Sequence, residues 1–291
     1  MFKGSFVALI TPFRDGKVDE SAFQEHVAWQ IGQGTHGLVP IGTTGECPAL
    51  DDDEQRRVIE LTVEVAKGRA PVIPGTGFNS TQHTIHATKV AKVAGADAAL
   101  VVCPYYNKPT QEGLYQHFKA VHDAVDLPIV IYNIPGRSSV DMSNATMARL
   151  AKLPRIIGVK DATNDLTRPL KMRVEIGNDF SLLSGEDGTA VAYLAQGGDG
   201  VISVTANVAP RLCSEMHEAW QKGDVATVRT INERLIPLHE ALFVETSPAP
   251  VKYAASLLGR CSPDVRLPLW QTTPETQGKV RDAMRGAGLV N

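Results

Sequence analysis

The stretch RIIGVKDA, residues 155–162, decides how the chain folds. Ile156, Ile157, Gly158 and Val159 form a short uninterrupted apolar run. A strand with one wet face would alternate apolar and polar residues. A continuous run fits a strand covered on both faces, as in a parallel sheet. Lys160 then closes the run, at a point where taking an ammonium out of water is costly.

Seven more runs of this kind lie along the chain: SFVALI (5–10), GLVPI (37–41), PVIPG (71–75), AALVV (98–102), PIVIY (128–132), FSLLS (180–184) and GVISV (200–204). Helical patterns separate them, at about 20–32, 52–67, 80–94, 111–125, 143–152, 164–176, 187–196 and 209–222. Phe23, Val27 and Ile31 make the apolar stripe of the first, and Val58, Leu61 and Val65 that of the second. The acidic residues 51–54 suit the second helix's first turn, where the helix dipole is positive. Parallel strands need crossovers of this length. Eight β-then-α units predict an α/β fold of the (β/α)8 TIM-barrel type, residues 1–224. A doubly wound open sheet is the alternative, usually with fewer strands. Residues 225–291 contain no clear strand. They read as a C-terminal helical extension with helices near 225–241, 248–259 and 275–287.

Charge and cysteine content narrow the function. Lys and Arg total 29 against 32 Asp and Glu, a formal net charge of −3. That balance argues against a nucleic acid or an anionic membrane as partner. Cys47, Cys103, Cys213 and Cys261 show no CxxC spacing, so reduced thiols in a cytoplasmic protein are expected. The apolar N-terminal run is short for a signal peptide and is cut by Pro12. No window offers the roughly 20 apolar residues of a membrane helix.

Three local patterns carry less. GQGTHG (32–37) matches a dinucleotide fingerprint, but it ends a helix and enters a strand, the reverse of what that motif requires. Its glycines read as a helix cap and turn. His83 and His86 stand one helical turn apart, with no third ligand nearby in sequence. GTGFNS (75–80) precedes a helix, where its amides could hold an anion. Capping by Asn79 or Ser80 explains it equally well. No cofactor and no metal are implied.

Active sites of such barrels form at the carboxyl ends of the strands. GTTGE (42–46), PYYNKP (104–109), YNIPGR (132–137), Lys160, SGED (184–187), Ile202 and Ser203 fall there. Desolvation favours the neutral amine of a lysine so placed. A neutral amine attacks carbonyls to form a Schiff base. The alternative has Lys160 snorkelling to solvent, paired with Asp161. Tyr132, Thr43 and Tyr106 would supply a proton relay. Otherwise Tyr132 is a half-buried barrel tyrosine and the threonines cap a helix. Arg137 would fork onto a substrate carboxylate, or stand on the surface.

These motifs, in this order, resemble the dihydrodipicolinate synthase family of Schiff-base aldolases. The resemblance runs from GSFVALITPF through GTTGE, PYYNKPTQEGLYQHF, YNIPGR, GVKDAT, SGED and GVISVTANV to FVETSPAPVK. It implies condensation of pyruvate with aspartate semialdehyde, in lysine and diaminopimelate biosynthesis. By motif match Lys160 forms the imine, and Tyr132, Thr43 and Tyr106 relay protons. Thr44, Gly185 and Ile202 surround pyruvate, and Arg137 receives the semialdehyde's carboxylate. The resemblance also implies a homotetramer, a dimer of dimers, with Tyr106 lent by a neighbouring subunit. A related pyruvate-dependent aldolase or dehydratase for a sugar acid is the alternative, disfavoured by Arg137. Feedback-sensitive members bind lysine through histidines and a glutamate. This chain keeps Asn79 and Tyr105 but has Asp52, Gln55 and His83 at the other matching positions, so weak or absent lysine inhibition is expected.

Overall fold

A computed structural model describes residues 1–291. In chain order the elements are β1 (Gly4–Ala8), β2 (Phe13–Arg14), β3 (Lys17–Val18), α1 (Glu20–Gly32), β4 (Gly37–Val39), α2 (Asp52–Ala66), α3 (Thr81–Val93), β5 (Ala99–Val102), α4 (Gln111–Ala124) and β6 (Ile129–Asn133). There follow α5 (Pro135–Ser138), α6 (Asn144–Leu150), β7 (Ile156–Asp161), α7 (Arg168–Ile176), β8 (Ser181–Ser184), α8 (Ala190–Ala195), β9 (Gly200–Ser203), α9 (Pro210–Gln221), α10 (Val225–Ala241), α11 (Ala249–Leu257) and α12 (Pro274–Gly286). They fall into two compact units, Met1–Lys3 with Val72–Ile202, and Gly4–Pro71 with Ser203–Asn291.

The first unit is a run of parallel strands, β9-β8-β7-β6-β5, linked by helical crossovers. Its strands are buried almost throughout, as continuous apolar runs require. The register sets Tyr132 beside Lys160 and Asn133 beside Asp161. Lys160 in turn lies beside Leu183. The third expected strand, PVIPG, forms no ladder. Gly75 makes one isolated parallel bridge to Leu100, flanked by Leu100 N to Pro74 O at 2.8 Å and Thr76 N to Leu100 O at 2.9 Å. Pro71 and Pro74 have no N–H to donate, so the chain accepts there but cannot pair regularly.

In the second unit β1 and β4 pair in parallel, Phe6 beside Gly37 and Ala8 beside Val39. A small antiparallel hairpin, β2 with β3, was not legible in the pattern. Asp51 caps α2 by a reciprocal box: Glu54 N donates to its carboxylate at 2.8 Å, and Asp51 N to Glu54 at 3.2 Å. The GQGTHG glycines do end α1 and lead into β4. The buried face of α1 carries Phe23, His26, Val27 and Gln30. Two polar residues thus sit in the core, while Ile31 is only half-buried. The last three helices lie where the periodicity puts them. No helix is long and apolar enough to cross a membrane.

Candidate active site

β6 and β7 position the central pair. Tyr132 and Lys160 are register neighbours near their carboxyl ends, so both side chains leave the same face. Each is 6 % exposed. Lys160 Nζ stands 4.3 Å from the centre of the Tyr132 ring, so the nitrogen rests against the ring face.

Asp161 takes no part in that contact, because consecutive strand residues point to opposite faces. Its Oδ1 accepts from Thr163 N at 3.0 Å, and its Oδ2 lies 3.3 Å from Arg168 Nε. Burial pushes the Asp161 carboxyl above its ordinary pKa, against the pull of Thr163 and Arg168. Arg168 also donates to both carboxylate oxygens of Asp141 at 3.2 Å and to Met142 O at 2.6 Å. Asn133, beside Asp161 in the register, donates to Asp141 at 2.8 Å and accepts from Met142 N at 3.1 Å. A polar network, buried except at the exposed Asp141, therefore backs the strand ends that carry the amine and the phenol. Sequence reasoning missed it. The available signal was the alternation Lys160–Asp161 and Tyr132–Asn133 on paired strands.

Arg137 lies on α5, the short helix directly after β6, and is exposed. Gly185 and Glu186 follow β8. Gly185 N donates to Asp161 O at 2.7 Å. A Cβ there would come within 2.6 Å of the Ala162 Cβ, so only glycine lets the two turns approach. Glu186 is half-buried, and its carboxyl is raised by burial and by Asp187, while the positive charges of Lys160 and Arg137 oppose the rise. Glu186 thus lies within electrostatic range of both cations, a residue the motif reading passed over. Asp161, Thr163, Ser184, Glu186 and Tyr193 help line a cavity of about 10 Å³, about the size of one water. Ile202 is fully buried in β9, two strands from Lys160.

Tyr106 is 87 % exposed and has a φ of 73°. Asn107 N bonds to Tyr105 O at 2.9 Å around it, an i-to-i+2 turn at positive φ. That turn is rare and strained for a bulky residue, and such strain clusters at functional positions. No packing within the chain holds the ring.

Thr43 and Thr44 belong to the second unit, in the turn after β4. Gly45 N and Glu46 N close it onto Gly42 O and Thr43 O, each at 3.1 Å. Asp51, not a threonine, caps the following helix. Thr44 is buried and Thr43 half-buried.

Fold and site together define an α/β enzyme whose polar groups stand at the carboxyl edge of a parallel sheet. The chain belongs to the dihydrodipicolinate synthetase family, whose model matches residues 1–287. It is 68 % identical over 290 residues to a 4-hydroxy-tetrahydrodipicolinate synthase of Rhodospirillum centenum, covering 100 % of both chains. Among solved structures it resembles a dihydrodipicolinate synthase from Aquifex aeolicus, with a TM-score of 0.97 at 45 % identity over 99 % of each chain. It is equally similar, with a TM-score of 0.97 and 45 % identity over 100 % of each chain, to the chloride-inhibited enzyme of Acinetobacter baumannii, solved with pyruvate.

Proposed function

We propose that this chain condenses pyruvate with aspartate 4-semialdehyde through an imine on Lys160. It is a lyase of the 4-hydroxy-tetrahydrodipicolinate synthase type, serving lysine biosynthesis. The observation that carries the mechanism is the position of the buried Lys160 Nζ, set over the Tyr132 ring and turned away from Asp161.

In this reading the neutral amine adds to the keto carbon of pyruvate, and water leaves to give the iminium. A methyl proton is then lost and the enamine forms. The enamine carbon attacks the aldehyde, and the new alkoxide takes up a proton. Tyr132 sits against the amine and carries these protons in this reading. Thr43 and Tyr106 complete the relay, Thr44, Gly185 and Ile202 surround pyruvate, and Arg137 takes the semialdehyde carboxylate in a two-bonded fork. The strained, uncovered Tyr106 supports a tetramer in which a neighbouring subunit receives that ring. The eight-stranded barrel, with 71–75 holding the third strand's place through its single bridge to Leu100 and 225–291 as a helical extension, is the fold we propose, and the cytoplasm the location.

Borohydride treatment in the presence of pyruvate tests the central step. The expected result is a permanent adduct on the Lys160 peptide and loss of activity. Labelling elsewhere, or none, would overturn the reading. A coupled assay with aspartate semialdehyde against keto-sugar acids, repeated on Arg137→Ala, tests the second substrate.

Lysine control is proposed to be weak. His83 stacks on Phe78 with ring centres 3.9 Å apart, and Gln55 donates to Cys47 O and Leu50 O. His83, where the resemblance puts the family's glutamate, offers no carboxylate to a lysine ammonium. Strong inhibition at sub-millimolar lysine would contradict this.

A further inference from the structure

The Gly42–Glu46 turn is bracketed by two non-glycine residues in the left-handed region, Ile41 at φ 47° and Glu46 at φ 56°. For a β-branched isoleucine this is an unfavourable backbone state, kept only where surrounding contacts over-determine it. Those contacts converge on the turn's last two residues. Thr11 Oγ1 donates to Gly45 O at 2.8 Å. Lys252 Nζ, from α11, donates to Glu46 Oε1 at 2.7 Å and to Thr11 O at 2.8 Å. Arg266 N donates to Glu46 Oε2 at 2.9 Å. The Phe13 ring lies 4.0 Å from the ammonium. A Cβ on Gly45 would meet Leu9 O at 3.0 Å and Ile41 N at 3.1 Å, so the turn has little room to shift.

Both charged side chains of the pair are fully buried. Burial pulls the Lys252 ammonium below its ordinary pKa, though the Glu46 carboxylate opposes this. A pair so placed costs much of what it gains, and well-packed apolar residues of the same volume would often hold the fold as well. Stability alone is therefore a poor reason for it. What it supplies that an apolar pair would not is directional bonding to one end of the turn, whose Glu46 N is itself bonded to Thr43 O.

We propose that the buried Glu46–Lys252 pair is a positioning device that holds the strained Thr43–Thr44 turn in its working geometry. The proposal rests on the relay role given to Thr43 above. Glu46 and Lys252 touch no substrate in this reading; they act through the turn.

The test compares Thr43→Val, Glu46→Asp and the paired replacement Glu46→Leu with Lys252→Met, each by steady-state kinetics and thermal unfolding. Glu46→Asp keeps the charge and shortens the reach by one methylene. It is expected to lower kcat at least about tenfold, the scale of a sub-ångström to ångström misplacement, with pyruvate KM moving less than about threefold. The apolar pair is expected to unfold near the native temperature and still show the kcat loss. Native kcat in either variant while Thr43→Val is slow would overturn the proposal alone. A kcat loss that disappears wherever the unfolding temperature recovers would also overturn it. Full activity in Thr43→Val would remove both the relay role and the positioning role, and an inactive native enzyme would refute the proposed reaction itself. If the apolar pair does not fold, Glu46→Asp decides.

Discussion

Protonating His26 should destabilise the second unit in mild acid, by an amount the structure allows to be worked out. The ring is fully buried on α1, and its Nε2 lies 3.1 Å from Asn207 Oδ1. That oxygen also accepts from Ile10 N at 3.1 Å, while Asn207 Nδ2 donates to Ala8 O at 2.7 Å. The amide is thus oriented by its other partners, and His26 Nε2 must carry the proton it donates. A second proton would go to Nδ1, which has no hydrogen-bond partner. Burial is the main cause that lowers the pKa to about 4; the Asn207 bond opposes this, and the nearby Arg260 charge adds to it. The unfolded residue protonates near 6.5. Between these values the unfolded chain binds more protons, so stability rises with pH across the window and is lost as pH falls through it. Integrating from pH 8 to pH 5 gives a loss of about 2 kcal/mol from this one residue. For a chain of this length the unfolding entropy converts that to about 3 °C in Tm. His117 should titrate in the same window, since burial lowers its pKa to about 4 as well. The informative measurement is therefore a difference. Thermal unfolding of the native chain and of His26→Gln, which can still donate to Asn207, is followed from pH 8 to pH 5. His26→Gln should start lower at pH 8 and lose about 3 °C less on acidification. Parallel Tm curves for the two proteins would refute the argument.

Three further outcomes follow from the site. Lys160→Ala should lower turnover by at least about a thousandfold, the scale on which removal of a covalent nucleophile registers; activity within tenfold of native would exclude an imine at this position. Arg168→Met should destabilise by about 3 kcal/mol, because Asp161 then keeps a buried carboxylate without its guanidinium; an unchanged denaturation midpoint would show that the network behind β7 does not hold charge. Gly185→Ala forces a Cβ to within 2.6 Å of Ala162 and should reduce both Tm and kcat/KM for pyruvate; a variant with native values for both would show that the two turns part freely.

Much of the fold was legible because burial on both faces writes itself as continuous apolar runs, and seven of the eight runs became strands. PVIPG makes only one isolated bridge, for a reason visible in its own letters, since two prolines cannot donate to a ladder. Lys160 and Tyr132 were legible as residues at strand ends, and their pairing followed from register. Other features were not, because they depend on residues remote in sequence. Glu46 meets Lys252 across 206 positions, and Arg168 reaches back 27 positions to Asp141. No local periodicity encodes such contacts. Tyr106 illustrates a different limit. Its sequence context named it as a phenol in a loop, but only the backbone revealed a bulky side chain held at positive φ.

The strand ends explain why one short stretch could carry so much of the reading. Alternation in β6 and β7 sends Tyr132 and Lys160 to one face and Asn133 and Asp161 to the other. The first face holds an amine against a ring; the second ties the same two backbones to Asp141, Met142 and Arg168. A change on the second face therefore moves the first without touching its side chains. Variants at Asp161 or Asn133 should alter the angle at which the amine meets its substrate before they alter its chemistry. They should thus lower kcat while leaving the lysine able to form a borohydride-trapped adduct. Loss of the adduct in a folded Asn133→Ala protein would contradict this division between the two faces.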